Sequence, residues 1–391
     1  MDSALNESNK GAKKILFFAN HATYFYSHRI ALAISAIASG AEVYLFCASK
    51  ISDEKTVLQS IRVNGVEIKK SKQLAGSSSI IGNLKLLLEF ASFARKVKPD
   101  LVHCISIKAM LIGLLYKKLG SPFFMIFAVS GLGTLFTDDK ERSHKKNFIR
   151  FVLTNALRSL VKIRDIQFIL QNYSDYEFFD AQLGVKKQNL ALIHGSGVDL
   201  HLYRKSKLKK NQVVLASRLL SNKGIIEYLH AIPQLKEKYN DWNFILAGSN
   251  DKDSPASFDQ TELEQLISVS GCDYYEHVDN IAELLLETKI FLLPSYREGF
   301  PKVIMEACAA GCAVVATDVP GCREALDFGR IGLLIKPRNA LEVELTLGHL
   351  IENEREILRL AALARQHAIA SFGTEHIIEP HLEIYGMNKN A

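Results

Sequence analysis

The stretch R-E-G-F-P-K-V-I-M-E-A (297–307) decides how this chain is read. It follows a short apolar run, 290–293, closed by Pro294, which predicts a buried strand and its exit. Pro301 suits the first turn of a helix, where a missing N–H costs nothing. Val303, Ile304, Ala307 and Ala310 then recur at helical spacing as far as Gly311. Glu298 therefore falls in a loop above a strand end, and Glu306 in the second helical turn, both facing one crevice. In open α/β sheets that crevice is where ligands bind.

The residue types in this stretch specify a ligand chemistry. A helix N-terminus offers free N–H groups and a partial positive charge, which suits phosphate. Lys302 adds a full charge in the first turn. A carboxylate accepts hydrogen bonds from two adjacent hydroxyls, which suits a sugar. Together they predict an anionic, hydroxyl-rich ligand, a sugar nucleotide. The plainer reading is an amphipathic helix with two solvated glutamates. Glu298 alone would fit it, but Gly299, Pro301, Lys302 and both glutamates together fit it poorly.

Working outward, 391 residues of which 48% are hydrophobic are enough for two cores. The first half alternates strand and helix: strands at 15–19, 42–48, 101–105, 123–129, 166–170 and 190–193, and helices at 28–39 (capped by Ser27, stopped by Gly40), 84–96, 109–119 and 145–163. Residues 201–212 are charged and poor in apolar side chains, and read as a linker. The alternation then restarts, with strands at 213–216, 243–247, 290–293, 313–317 and 333–335. Helices fall at 225–235, 281–286, 303–310, 341–353, 356–371 and 375–385. The expected fold class is α/β: two doubly wound parallel-sheet, Rossmann-like domains facing a cleft. The expected boundaries are 1–200, linker 201–212, 213–373, and a last helix and tail at 374–391.

Charge is divided unevenly. Residues 1–200 hold 27 Lys/Arg against 16 Asp/Glu, and residues 201–391 hold 21 against 26, so the total of +6 is +11 and −5. A basic half suggests an anionic surface or substrate. Residues 140–164 hold eight Lys/Arg and one Glu around an apolar stripe (Ile149, Val152, Leu153, Ala156, Leu157, Leu160, Ile163). That pattern fits a helix packed on the sheet with its basic rim toward an anionic membrane. No stretch approaches the ~20 apolar residues of a membrane span, and the polar N-terminus is no signal peptide. The six cysteines form no C-x-x-C pair; Cys308 and Cys312 read as core thiols of a reducing compartment. The basic run in 201–212 lacks the aromatic interleaving of a nucleic-acid site. Gly131 and Gly133 read as a tight turn, and Asp251-Lys-Asp253 as a polar loop, not a metal-binding pair.

R-E-G-F-P-K-V-I-M-E-A followed by C-A-A-G-C-A-V-V-A-T-D-V-P-G-C-R-E resembles the donor-site signature of family-4 retaining glycosyltransferases. Within them it resembles bacterial enzymes that extend polyprenyl-diphosphate-linked sugars for O-antigen, capsule or glycoprotein glycans. A-N-H-A-T-Y-F-Y-S-H-R (19–29), L-V-H-C-I-S-I-K (101–108), V-S-G-L-G-T-L-F (129–136), H-G-S-G-V-D-L (194–200) and A-S-R-L-L-S-N-K-G (216–224) extend the likeness over nearly the whole chain. The resemblance implies the GT-B architecture, with the last helix crossing back to the first domain. It also implies a nucleotide-sugar donor, UDP-linked, a lipid-linked sugar acceptor, and retention of configuration. Glu298 would hold donor-sugar hydroxyls and Glu306 the ribose, within a donor-binding set of Gly299, Phe300, Lys302, Val303 and Glu306.

Arg218 and Lys223, just past a strand end, would neutralise the departing diphosphate with no metal or other cofactor, and with Glu298 they form the catalytic set. The resemblance would also put Asn20, His28, His103 and Lys108 on the acceptor side. A lone strand histidine is commonly a satisfied core residue, and Ile105 stands where many relatives carry a second histidine. Such an enzyme works in the cytoplasm at the inner face of the membrane. A nucleotide-sugar 2-epimerase, or a non-catalytic nucleotide-sugar-binding subunit of an assembly complex, are the alternatives; acceptor dependence and turnover separate them.

Overall fold

The computed structural model describes residues 12–49, 55–74, 79–131, 154–155, 157–203, 208–251, 254, 256–278 and 280–387. Two compact units divide the chain: Met1–Ile193 with Ile378–Ala391, and His194–Ile377. The second unit thus begins before the expected boundary at 200, and the last helix, Thr374–Ile384, begins in the second unit and ends in the first.

The first unit carries a seven-stranded parallel sheet in the order β3-β2-β1-β4-β5-β6-β7. The strands are β1 (Lys14–Ala19), β2 (Glu42–Ser49), β3 (Glu67–Leu74), β4 (Leu101–Ile105), β5 (Phe124–Val129), β6 (Ile166–Leu170) and β7 (Leu190–Leu192). Central strands such as β1 and β4 are buried nearly end to end, as parallel strands covered on both faces must be. Helices α1 (Ala22–Ala38), α2 (Lys55–Val63), α3 (Ile80–Val97) and α4 (Ile107–Lys118) connect them. Phe18, Phe46 and Phe90 form an aromatic knot in the core, Phe18 and Phe90 stacked at 4.5 Å.

Two expectations for this unit are corrected. The first helix starts at Ala22, not at 28. His21 is its cap, its Nδ1 accepting the Tyr24 N–H at 3.2 Å, and Ser27 lies inside, donating back to Thr23 O at 2.9 Å. The buried stripe begins with Ala22 and Phe25 and passes through Arg29, a charge that an apolar-stripe reading does not count. Helix α2 and strand β3 were not expected. β3 reads E-I-K-K-S-K-Q-L, and its charges suit a strand that pairs only with β2 at the sheet edge. The helix expected at 145–163 falls mostly outside the described residues.

The second unit carries a six-stranded parallel sheet, β10-β9-β8-β11-β12-β13. Its strands are β8 (Lys210–Ala216), β9 (Asn243–Ala247), β10 (Asp273–Tyr275), β11 (Thr288–Leu293), β12 (Ala313–Thr317) and β13 (Leu333–Ile335). β8 starts inside the stretch read as linker. Strand alternation divides the core cleanly. Val214, Ala216, Phe291, Leu293, Val314 and Ala316 face one layer, while Val213, Leu215, Ile290, Leu292, Ala313 and Val315 face the other. Helices Lys302–Ala309 and Glu354–Ser371 cover the first layer; Ile225–Lys238 and Ala340–Glu352 cover the second. Helices Gln260–Ser270 and Pro320–Ala325 and strand β10 were not expected; the Gln260 helix buries only Leu263 and Ser270, too little for a stripe.

In each sheet the strand order reverses beside the first strand, between β1 and β4 and between β8 and β11. Loops leaving those strands flank the topological switch point, where doubly wound sheets bind ligands.

Candidate active site

In the second unit, the chain leaving β8 makes a single 3-10 turn, Ser221–Lys223, then enters helix Ile225–Lys238 through Gly224 at φ +72°. A Cβ on Gly224 would lie 2.1 Å from the carbonyl oxygen of Pro294, the residue that follows β11. Only glycine lets the two loops approach this closely. From the other side, a Cβ on Gly321 would lie 2.2 Å from the Gly299 carbonyl oxygen and 2.7 Å from that of Glu298. The 294–299 loop is therefore gripped between two glycines.

That grip brings Lys223 and Glu298 together. Lys223 Nζ lies 2.5 Å from Glu298 Oε1, and the two side chains are only 16% and 13% exposed. Cys322 is buried beside them, its thiol pushed well above the usual range by burial first and by Glu298 second. Arg218 stands apart from this pair. It is 62% exposed and pairs with Asp251 at 2.9 Å. Asp251 is therefore a partner of Arg218 rather than only a turn residue; Lys252 and Asp253 lie outside the described residues.

Pro301, expected in the first turn of the Lys302–Ala309 helix, is instead its cap, with ψ at 116°. Glu306 is buried in its second turn, 3.3 Å from Lys302 Nζ and hydrogen-bonded to Tyr203, whose hydroxyl is held protonated by burial and by the glutamate. Tyr203 was missed because it sits in the stretch read as linker. Phe300 is buried against His194 (4.9 Å) and Phe372 (5.9 Å), so its side chain serves the core, while Val303 is partly open. Gly299 is buried in the gripped loop. The residues expected to bind the donor thus lie on the loops and helix at one switch point, with Arg218 more exposed than the rest.

Of the residues expected on the acceptor side, Asn20, His28 and Lys108 lie at or just beyond the carboxyl ends of first-unit strands, and His103 lies within one. Asn20 directly follows β1, its Oδ1 buried without a partner. His28 lies a turn and a half into α1, stacked on Tyr24 at 4.4 Å and 2.7 Å from Ser27 Oγ. Lys108 opens α4, half-buried and with its pKa lowered by burial. Before it, Ser106 holds φ +128° while capping α4, a strained backbone at a sheet's carboxyl end. His103 is fully buried in β4. Its Nδ1 meets the Tyr385 hydroxyl, Arg29 lies nearby, and burial holds its pKa well below the usual range. Its ring packs beside Phe17, His381 and Tyr385.

Comparison with known proteins fits this geometry. Residues 14–164 match the model "Glycosyl transferase 4-like", and residues 203–367 match "Glycosyl transferases group 1". The N,N'-diacetylbacillosaminyl-diphospho-undecaprenol alpha-1,3-N-acetylgalactosaminyltransferase of Campylobacter jejuni is 31% identical over 317 residues, 77% of this chain and 81% of that one. Anabaena HepE, solved in complex with UDP and glucose, superposes with a TM-score of 0.75 at 19% identity, covering 96% of this chain and all of that one. WaaG, a glycosyltransferase involved in lipopolysaccharide biosynthesis, gives 0.70 at 14% identity over 95% and 99%. Those two likenesses concern the fold, which is GT-B. The fold, the paired family models and the Campylobacter relative agree, and the chain belongs to the glycosyltransferases of this family.

Proposed function

We propose that this glycosyltransferase moves a hexose or N-acetylhexosamine from a UDP-sugar to a sugar carried on a polyprenyl diphosphate, with retention, in bacterial surface-glycan assembly. The observation that carries the reading is the Lys223–Glu298 pair beside buried Glu306 at the switch point of the second sheet. A cation next to a carboxylate suits a donor whose diphosphate leaves as its sugar hydroxyls are held. Glu298 takes the sugar hydroxyls, Glu306 the ribose, and Lys223 with Arg218 the diphosphate. No metal is required, because these cations supply the charge. The acceptor class is that of the Campylobacter relative.

A lipid-borne acceptor calls for a membrane-facing surface. Among the described residues no helix is long and apolar enough to cross a membrane. Helix α3 exposes Ile80, Ile81, Leu84 and Leu88 beside Lys85, and α4 exposes Leu111, Leu115 and Leu119 beside Lys118. Exposed apolar side chains among lysines suit the boundary of an anionic bilayer. With the cation-rich sequence of 140–164, they favour the first unit as the membrane-facing one, at the inner face of the cell membrane.

The test is a donor screen against a membrane-extracted lipid acceptor, with linkage and anomeric configuration read by NMR. Transfer of one UDP-sugar with retained configuration is expected. Acceptor-independent conversion of the donor sugar would overturn the reading.

A further inference from the structure

The first carboxylate of helix Ile225–Lys238 has no part in the reading above. Glu227 is only 8% exposed. Its Oε1 accepts the Tyr296 hydroxyl at 2.6 Å, and its Oε2 is buried with no partner. A buried carboxylate oxygen left unsatisfied is costly, so this residue is not placed there for stability alone. Tyr296 is tied a second time, its backbone N–H donating to Asn222 O at 2.9 Å. Its ring is covered by Arg338, the guanidinium 4.7 Å from the ring centre and the backbone held at φ +61°. Burial, then the bond to Glu227, keep the phenol protonated and donating.

The sequence spacing gives these contacts a purpose. Glu227 follows Lys223 by four residues, across the Gly224 turn, and Tyr296 precedes Glu298 by two. Two hydrogen bonds from Tyr296, its hydroxyl to Glu227 and its N–H to Asn222 O, therefore join the segment that carries Glu298 to the segment that carries Lys223. We infer that the Tyr296–Glu227 bond is a clasp that sets the Lys223–Glu298 geometry, which makes Tyr296 and Glu227 positioning residues for sugar transfer. The inference rests on the roles given to Lys223 and Glu298 in the proposed function. Small displacements of a positioned group cost rate rather than ground-state affinity when the group acts chiefly in the transition state.

Tyr296→Phe deletes one hydroxyl, and Glu227→Gln keeps an acceptor oxygen that Glu227→Ala lacks. Two measurements on the full chain decide the matter. The first needs no activity: acetic anhydride labelling of Lys223, followed by mass spectrometry. Lys223 is shielded by its ion pair and should label several-fold faster in Tyr296→Phe and Glu227→Ala than in wild type or Glu227→Gln. The second is steady-state transfer: kcat should fall about tenfold in Tyr296→Phe while UDP Kd stays within about twofold, and Glu227→Gln should recover most of the rate lost in Glu227→Ala. Unchanged labelling of Lys223 in Tyr296→Phe would overturn the clasp, as would a kcat within about twofold of wild type. Loss of UDP affinity in step with kcat would do the same. Should the wild type transfer no sugar from any donor, the proposed function fails, while the labelling still decides the clasp.

Discussion

Glu306 is buried, and two donors, Lys302 and Tyr203, hold it in place on the wall of the proposed nucleotide site. A carboxylate kept this way is preorganised to accept ribose hydroxyls, and hydrogen bonds to charged groups contribute about 1.5–3 kcal/mol. Glu306→Ala is expected to weaken UDP binding about tenfold or more, measured by calorimetry, and to raise the donor KM with a smaller effect on kcat. Glu298 differs, because its partner is Lys223 at 2.5 Å. Glu298→Gln leaves a largely buried ammonium without its counter-charge. That change should lower kcat/KM about a hundredfold while UDP still binds, since UDP carries no donor sugar for Glu298 to hold. Loss of UDP binding in this variant would contradict the division of roles.

Loop-against-loop packing, more than any single side chain, sets the donor site. Gly321 has ordinary helical backbone, so the cost of Gly321→Ala is steric alone: a methyl 2.2 Å from the Gly299 carbonyl must push the Glu298 loop. Lower activity and a Tm lower by several degrees are expected together; normal kinetics would show that the loop has room to yield. Gly224→Ala adds left-handed strain to a closer clash and should be the worse of the two. This grip was not legible in the sequence, because it depends on which backbones approach, whereas Glu298, Lys302 and Glu306 were legible from their spacing across a strand, a proline and a helix. The apolar strands β1, β4, β8 and β11 were equally plain. Edge strand β3 and helix Gln260–Ser270 were not, since elements exposed on one side carry polar residues with weak period. The start of α1 was hidden by buried Arg29, and Tyr203 and β8's first residues by a basic run that looked like linker.

At the scale of the molecule, a nucleotide-sugar site in one unit and a membrane-facing surface on the other make separable expectations. Asparagine at Ile80, Ile81 and Leu84 should reduce co-sedimentation with vesicles at any salt. Glutamine at Lys145, Lys146 and Arg150 should reduce it only at low salt. Each exposed cation near an anionic bilayer contributes about 1 kcal/mol and is screened over about 10 Å at 0.1 M. Wild-type binding by both variants would remove the membrane from the account. Whatever the outcome there, the central claim concerns the second unit, and a UDP titration in excess EDTA tests it most directly. The expected result is a single site on the wild type that persists without divalent metal and is weakened about tenfold or more in Glu306→Ala. No UDP binding by the wild type in EDTA, or equal affinity in the two proteins, would contradict it.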